Sequence, residues 1–485
     1  MVFSSWEFIG IFLVVALGGL QLMKSLQSKL VWLTLCSYGF YGFAGAQYTL
    51  LLLLISSVDF YAGKRIAAAG SLRARRGWLA LSIGSNLAVL AFFKYANFIW
   101  RNALDLLAMA DSSWGTVLAT SAIHALQYES IADAETFLKF VLPPGISFYT
   151  FQSMSYTLDV YWNKTPPERR YWKFACFVSV FPHLIAGPIV RYVELAPQMD
   201  HALMRPKTVT DWEAGVLRFS IGLCKKVLIA DRIGNAIDPL LANFHQLDMV
   251  TAWMVMIGFA YQLYFDFSGY SDMAVGLGKM LGVELPVNFD SPYRALNPSD
   301  FWQRWHITLS RWLRDYLYVP LGGNRGGRLR TLRNLLLTML LGGLWHGAGW
   351  TFVIWGAFHG LLLIAYRLGK TWWDSLRPSA ARSLMFLLVV IAWVPFRAED
   401  FGMMREVLAA MFGLKGVAGG LAAEIPAKLY LELAVAGAIA HFCPVNSNRF
   451  SYHAMSPLQT MALAIATVVA LASMNISSKF LYFNF

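Results

Sequence analysis

The chain has 485 residues, of which 57% are hydrophobic and only 14% charged, and its mean hydropathy is +0.50. A soluble fold of that composition would have too little polar surface to cover itself, so the numbers exclude a soluble globular protein and predict an integral membrane protein. The formal charge of +12 does not point to nucleic acid, because the basic residues fall in short stretches between apolar runs, as the positive-inside rule requires.

Apolar runs recur at about 6–22, 30–46, 47–63, 78–100, 137–161, 172–190, 213–231, 250–266, 334–366, 383–396, 427–443 and 457–474, several of them close to the minimum of roughly 17 residues that crosses a hydrocarbon core. They predict an all-α polytopic protein with about ten to twelve membrane segments, some broken or re-entrant. The first run has no basic segment before it and no small-residue cleavage pattern after it, and reads as a retained span. Lys64, Arg65, Arg73, Arg75 and Arg76 make 64–77 basic and free of acids, whereas 101–136 sets Arg101 against Asp105, Asp111, Glu129, Asp133 and Glu135. The first stretch is expected inside and the second outside, which puts the N-terminus outside and Lys164, Arg169, Arg170 and Lys173 inside. The longest polar stretches, 101–136, 191–212 and 397–428, are too short and apolar for a core of their own, so 1–485 reads as one membrane domain. Cys36, Cys176, Cys224 and Cys443 are far apart and form no C-x-x-C pair, which argues against a disulfide framework or a zinc site.

Four stretches carry polar chemistry inside the oil. Pro143-Pro144-Gly145 predicts a break within 136–161, lined by protein rather than lipid. YFDFSGYSDMAVGLGKMLG places Asp266 and Asp272 in apolar sequence, where they would orient a histidine or bind a hydroxyl, or else cap a re-entrant turn at Gly269. DFWQRWHITLSRWLRDYLYVPLGGN reads as one amphipathic helix, with Trp302, Trp305, Leu309, Trp312 and Tyr316 on one stripe and Arg304, Thr308, Arg311 and Asp315 on another. Arg304, Arg311 and Arg314, with Arg325, Arg328 and Arg330, are either interfacial anchors or a site for a phosphate-bearing donor. His306 lies beside the aromatic stripe, as an interfacial group or a catalyst.

The fourth stretch is LLGGLWHGAGW. A run of 33 residues over 334–366 exceeds one span, and Gly342, Gly343, Gly347 and Gly349 predict a short helix, a turn, and a second helix from about 350 to 366. His346 would then end the first helix. Intramembrane ionisable groups are costly, which points to a buried reaction centre; the alternative is a histidine bonded to a carbonyl between helices that the glycines pack closely. No P-loop, dinucleotide fingerprint, H-E-x-x-H pair or nucleophile elbow is present.

These residues carry a family resemblance. PPGISFYTFQSMSYTLDVY at 143–161, FPHLIAGPIVRY at 181–192, YFDFSGYSDMAVGLGKMLG at 264–282, FWQRWHITLSRWLRDYLYVPLGGNR at 301–325, LLTMLLGGLWHGAGWTFVIWGAFHG at 336–360 and the terminal FLYFNF resemble the membrane-bound O-acyltransferase family in its bacterial alginate O-acetyltransferase branch. The resemblance implies a ring of membrane helices around a thin centre, with a tunnel from a cytosolic donor site to an outer acceptor site. It implies that His346 is the catalytic histidine, that His306 is the second motif histidine, and that His359 belongs to the branch pattern. His183 departs from the pattern and is assigned no family role.

The implied donor is acetyl-coenzyme A, as substrate rather than a resident cofactor, and no metal or nucleic acid is expected. The implied acceptor is an exported polysaccharide such as alginate, reached through a periplasmic serine-esterase-like partner, from the bacterial inner membrane. Within the family the alternative is D-alanyl transfer to teichoic acid. Outside it stand a proton-coupled transporter using His346 and the two aspartates, which the lack of an internal repeat disfavours, and a non-catalytic scaffold of an export complex.

Overall fold

The computed structural model describes residues 1–109, 142–419, 425–443, 446–450, 455–474 and 481. Most of the predicted outer loop at 101–136, and the terminal FLYFNF apart from Leu481, lie outside the described residues. Among the described residues all regular structure is helical.

The chain begins with α1 (Glu7–Leu22), α2 (Leu26–Gly42), α3 (Ala46–Ala68) and α4 (Leu72–Leu90). Ser25 and Ser71 cap α2 and α4, accepting the backbone N–H groups of Ser28 and Ala74. The basic residues of 64–77 belong to the end of α3 and the start of α4 rather than to a loop. Beyond α4 a π-helical stretch, Ala91–Tyr95, leads into α5 (Ala96–Met109).

The Pro-Pro-Gly break is where the sequence places it. Gly145 has φ +76°, and a Cβ there would lie 2.6 Å from the Leu184 carbonyl oxygen, so only glycine lets α6 (Ile146–Tyr161) start at this point. α6 is buried along nearly its whole length, as a helix surrounded by protein. The run at 172–190 does not form a single span. It gives α7 (Tyr171–Ser179) and a single turn, α8 (Phe181–Leu184), before non-helical chain to Arg191. Pro182 and Pro188 lack the N–H that a continuous helix would use.

α9 (Tyr192–Met204) and α10 (Val209–Cys224) follow, then a π-helical stretch, Lys225–Ala230, then α11 (Asp231–Ala242) and the 33-residue α12 (Met249–Leu281). α12 runs unbroken through Gly269, so the re-entrant turn considered there is absent. Its glycines serve packing instead. A Cβ on Gly276 would lie 2.6 Å from the Gly215 carbonyl oxygen, and one on Gly222 would lie 2.5 Å from that of Gly269, so α10 and α12 cross with backbones nearly touching.

The single amphipathic helix expected over 300–325 is two helices, α13 (Pro298–Arg304) and α14 (Ile307–Leu313), the second continuing as a π-helix over Arg314–Tyr318. The break falls at His306, which adopts φ +42°. Trp305, Trp312 and Tyr316 are buried in the core rather than held at headgroup depth. The remainder comprises α15 (Arg328–His346), α16 (Trp350–Leu368), α17 (Lys370–Asp374), α18 (Pro378–Arg397), α19 (Phe401–Met411), α20 (Ala427–Phe442) and α21 (Pro457–Ser473).

Three stretches among the described residues are both long and apolar enough to cross a membrane: Leu72–Ala103, α16 and α18. α1 and α21 are apolar but shorter. Several other runs are broken, as at 172–190, or carry buried ion pairs, as α10 to α12 do.

Candidate functional site

His346 stands at the C-terminal end of α15, 4% exposed, with the turn at Gly347–Gly349 leading directly into α16. The glycines around it close the hairpin. A Cβ on Gly343 would overlap the Phe352 carbonyl, and one on Gly356 would overlap that of Met339, so α15 and α16 touch backbone to backbone. A Cβ on Gly347 would enter the Phe352 ring. Close packing, one of the two readings the sequence left open, therefore accounts for Gly343 and Gly347.

A helix end leaves carbonyls without intrahelical donors. Here the Lys94 ammonium donates to the carbonyls of Trp345 (2.6 Å) and His346 (2.7 Å), and the Tyr95 hydroxyl donates to that of Leu344 (2.5 Å). The His346 ring is then enclosed by Trp345, Trp355 and Phe396, with ring centres 5.0, 4.9 and 5.4 Å away.

The second imidazole comes from the kink between α13 and α14. His306 is fully buried, and its ring centre lies 6.4 Å from that of His346. The extended segment before Asp290 holds the kink from both sides: Asp290 N–H donates to the Arg304 carbonyl and Ile307 N–H to the Asn288 carbonyl, each at 2.9 Å. The Asn288 side chain meets His306 Nδ1 at 3.0 Å. Phe148, Phe267 and Trp345 surround the ring, and among the described residues Nε2 has no hydrogen-bond partner. Two imidazoles 40 positions apart in sequence thus share one cluster of aromatic rings, with Trp345 against both. The indole N–H groups of Trp345 and Trp355 are buried there without a partner among the described residues.

His359, on α16, lies one layer further. Trp355 separates it from His346, with a ring-centre distance of 4.9 Å to each, and Phe301 stacks on it at 5.8 Å. The two aspartates are not part of this cluster. Asp266 pairs with Lys226 at 2.7 Å, and Asp272 with Arg218 at 2.6 Å and Lys225 at 2.7 Å. A buried carboxylate needs a cation close by, and these find theirs on α10 and the π-helical stretch after it. The structure places both aspartates in ion pairs that tie α12 to its neighbours, rather than beside the two imidazoles. Leu481 N–H also donates to Asp266, and Asn448 accepts from Arg218, so the same ion pairs fasten the C-terminal segment.

The three arginines are divided. Arg304 pairs with Asp300 at 2.6 Å and Arg314 with Asp315 at 2.6 Å, while Asp315 is shared with Arg191. Arg311 is exposed. Arg314 lies at the end of the molecule that also holds Lys164 and Arg75: Lys164 sits over the Tyr316 ring, and Arg75 donates to the Tyr161 carbonyl. That is the end on which the basic 64–77 stretch lies.

Comparison with known proteins decides the family. A match to the membrane-bound O-acyltransferase family model covers residues 169–396, which include His306, His346 and His359. The chain is 43% identical to a protein from Azotobacter vinelandii named "Probable alginate O-acetylase AlgI", over 85% of this chain and 78% of that relative. The chain belongs to the membrane-bound O-acyltransferase family. It is an acyltransferase, and it is also 34% identical to the peptidoglycan O-acetyltransferase of Helicobacter pylori, over 99% of this chain and 94% of that relative. The teichoic acid D-alanyltransferase of Bacillus subtilis is 28% identical over 47% of this chain and 60% of its own length.

Sequence reasoning about this acyltransferase missed two residues. Lys94 lies in AVLAFFKYANFIW, and the cost of an ionisable group in an apolar run, applied to His346, would have flagged it equally. Asn288, in PVNFDSP, has no such signal, because an asparagine before a proline-containing turn is ordinary loop sequence.

Proposed function

We propose that the protein transfers acetyl groups from cytosolic acetyl-coenzyme A toward an exported polysaccharide of the alginate kind, from the bacterial inner membrane, with its N-terminus on the periplasmic side. The observation that carries this reading is the pair of buried imidazoles, His306 and His346, whose ring centres lie 6.4 Å apart inside a chain of this family. A thioester is already activated, so the enzyme mainly supplies a base, proximity and stabilisation of the carbonyl oxygen.

In this reading His346 takes the proton of the attacking hydroxyl as its oxygen bonds to the thioester carbonyl carbon. The carbon–sulfur bond then breaks, and the imidazolium returns the proton to the leaving thiolate. The indole N–H groups of Trp345 and Trp355, which flank His346 and have no partner among the described residues, are the donors available to the developing oxyanion. His306 is the second catalytic group and His359 supports the cluster through Trp355. Arg311 presents a charge to the donor phosphates at the cytosolic face, with Arg304 and Arg314 held beside acidic partners. A periplasmic serine-esterase-like acetyltransferase would receive the acetyl group for delivery to the glycan.

A peptidoglycan acceptor is the second reading, favoured by the nearly full-length match to the Helicobacter pylori relative. D-alanyl transfer has weaker support, because its relatives match less than half of the chain. Purified protein in vesicles, given acetyl-labelled coenzyme A on one side and alginate or peptidoglycan fragments, with or without a periplasmic esterase, on the other, tests the proposal. Label on an acceptor hydroxyl, with release of free thiol, is expected. Thiol release with a charged carrier protein but not with acetyl-coenzyme A would overturn it.

A further inference from the structure

The side-chain amide of Asn288 has its two ends assigned by its neighbours. Its Oδ1 faces the backbone N–H of Thr308 at 3.3 Å, a group that only donates. It also faces the Thr308 hydroxyl at 2.9 Å. That hydroxyl already accepts the Ile189 N–H at 3.0 Å, which leaves its own hydrogen for Asn288. The Nδ2 end donates to the Ser271 hydroxyl at 3.2 Å. Oδ1 is therefore the end that meets His306 Nδ1 at 3.0 Å, and a carbonyl oxygen can only accept. Nδ1 must carry the hydrogen.

From this geometry we infer that Asn288 is a positioning residue that locks His306 in its Nδ1–H tautomer, so that Nε2 enters the reaction as a hydrogen-bond acceptor. The inference rests on the two-histidine site proposed above and adds the chemical state of one member. In a neutral imidazole one ring nitrogen donates and the other accepts, and the partner of one sets the role of the other. With Nδ1–H committed to Asn288, Nε2 holds a lone pair, is buried, and has no partner among the described residues. Neutral His306 thus cannot donate to an oxyanion. It can only accept, from a substrate hydroxyl or as a base.

The backbone is built for the same end. Asn288 uses its carbonyl to receive Ile307 N–H at 2.9 Å, so one residue holds both the main chain and the ring of the kink. The φ of +42° at His306 is an uncommon conformation for a side chain of this size, of the kind found where surrounding structure over-determines a functional position.

Nitrogen NMR of the histidine-labelled full chain in lipid discs reads the tautomer directly, with the His306 signals assigned by their loss in His306→Gln. Wild type should show a protonated Nδ1 and a bare Nε2. Asn288→Leu, of similar size but with no acceptor, should abolish that preference and lower kcat by about 10- to 100-fold, the usual cost of losing an outer partner of a functional imidazole. Asn288→Asp keeps the acceptor and should restore both the signal and most of kcat. A wild-type His306 protonated at Nε2 overturns the inference even if the leucine variant fails to fold. So does a tautomer unchanged by Asn288→Leu, or one that changes while kcat does not. If His306→Gln and His346→Gln both retain acetyl transfer, it is the site itself that fails, whatever the tautomer.

Discussion

Two places in this molecule bury ionisable side chains in apolar surroundings, and they are built in opposite ways. Around α12, charges meet their complements: Lys226 pairs with Asp231 and Asp266, and Asp272 with Arg218 and Lys225. At the end of α15, His306, and His359 one layer beyond behind Trp355, are enclosed by rings and have Nε2 atoms without partners among the described residues. Removing one member of a buried ion pair strands the other charge, so such residues are held by stability. A buried ring nitrogen without a protein partner gains nothing comparable in stability, and each one needs an explanation of its own. In apolar sequence a buried ion is thus ambiguous until its partner is known.

The largest expected effect is at the histidine cluster. His346→Gln keeps a hydrogen-bonding side chain of similar length but cannot act as a base, and should lower acetyl transfer by about 10²- to 10⁴-fold with protein abundance and thermal stability unchanged. A well-folded variant with most of its activity would end the distinction between the two regions.

On the other side of the comparison, Lys226→Met should leave Asp266 without its cation, at a cost of about 3–5 kcal/mol. Most of the protein should be lost from the membrane, while the molecules that fold keep their specific activity. Normal abundance with lost turnover would instead place the α12 pairs in catalysis.

Lys94 tests the boundary between the two classes, being a half-buried lysine in an apolar run whose partners are the carbonyls of Trp345 and His346. Lys94→Met should free the end of α15 and lower kcat on the order of ten-fold, within the cost of a small misplacement of a reacting group, with little change in donor KM. Loss of stability alone, measured by thermal unfolding, would assign it to the structural class.

The smallest effect is expected at Arg311, which is exposed. Arg311→Gln should raise donor KM by a few-fold, roughly the effect of one surface charge of up to about 1 kcal/mol. Raising salt should erase the difference by screening. A KM indifferent to both would leave Arg311 an interfacial anchor.

The sequence by itself was enough for the class of protein, the break at Pro143-Pro144-Gly145, the helix–turn–helix around His346 and the family, because these depend on local composition, on proline and glycine geometry and on contiguous motifs. What it could not supply were pairings between distant segments. Nothing in the local sequence of Asp266 and Asp272 shows that Lys226, Arg218 and Lys225 face them. The aromatic stripe of 300–325 read as one interfacial helix because a helical period says nothing of a kink that Asn288, 18 positions earlier, holds open. The sequence marks Gly343 as part of a turn or of a packed helix pair, and only the fold shows Phe352 and Gly356 against it. Local rules report what each residue prefers; only the tertiary structure decides which charge is answered, which glycine is covered and which ring nitrogen is left without a partner among the described residues, since burial and partnership arise from contacts across the chain.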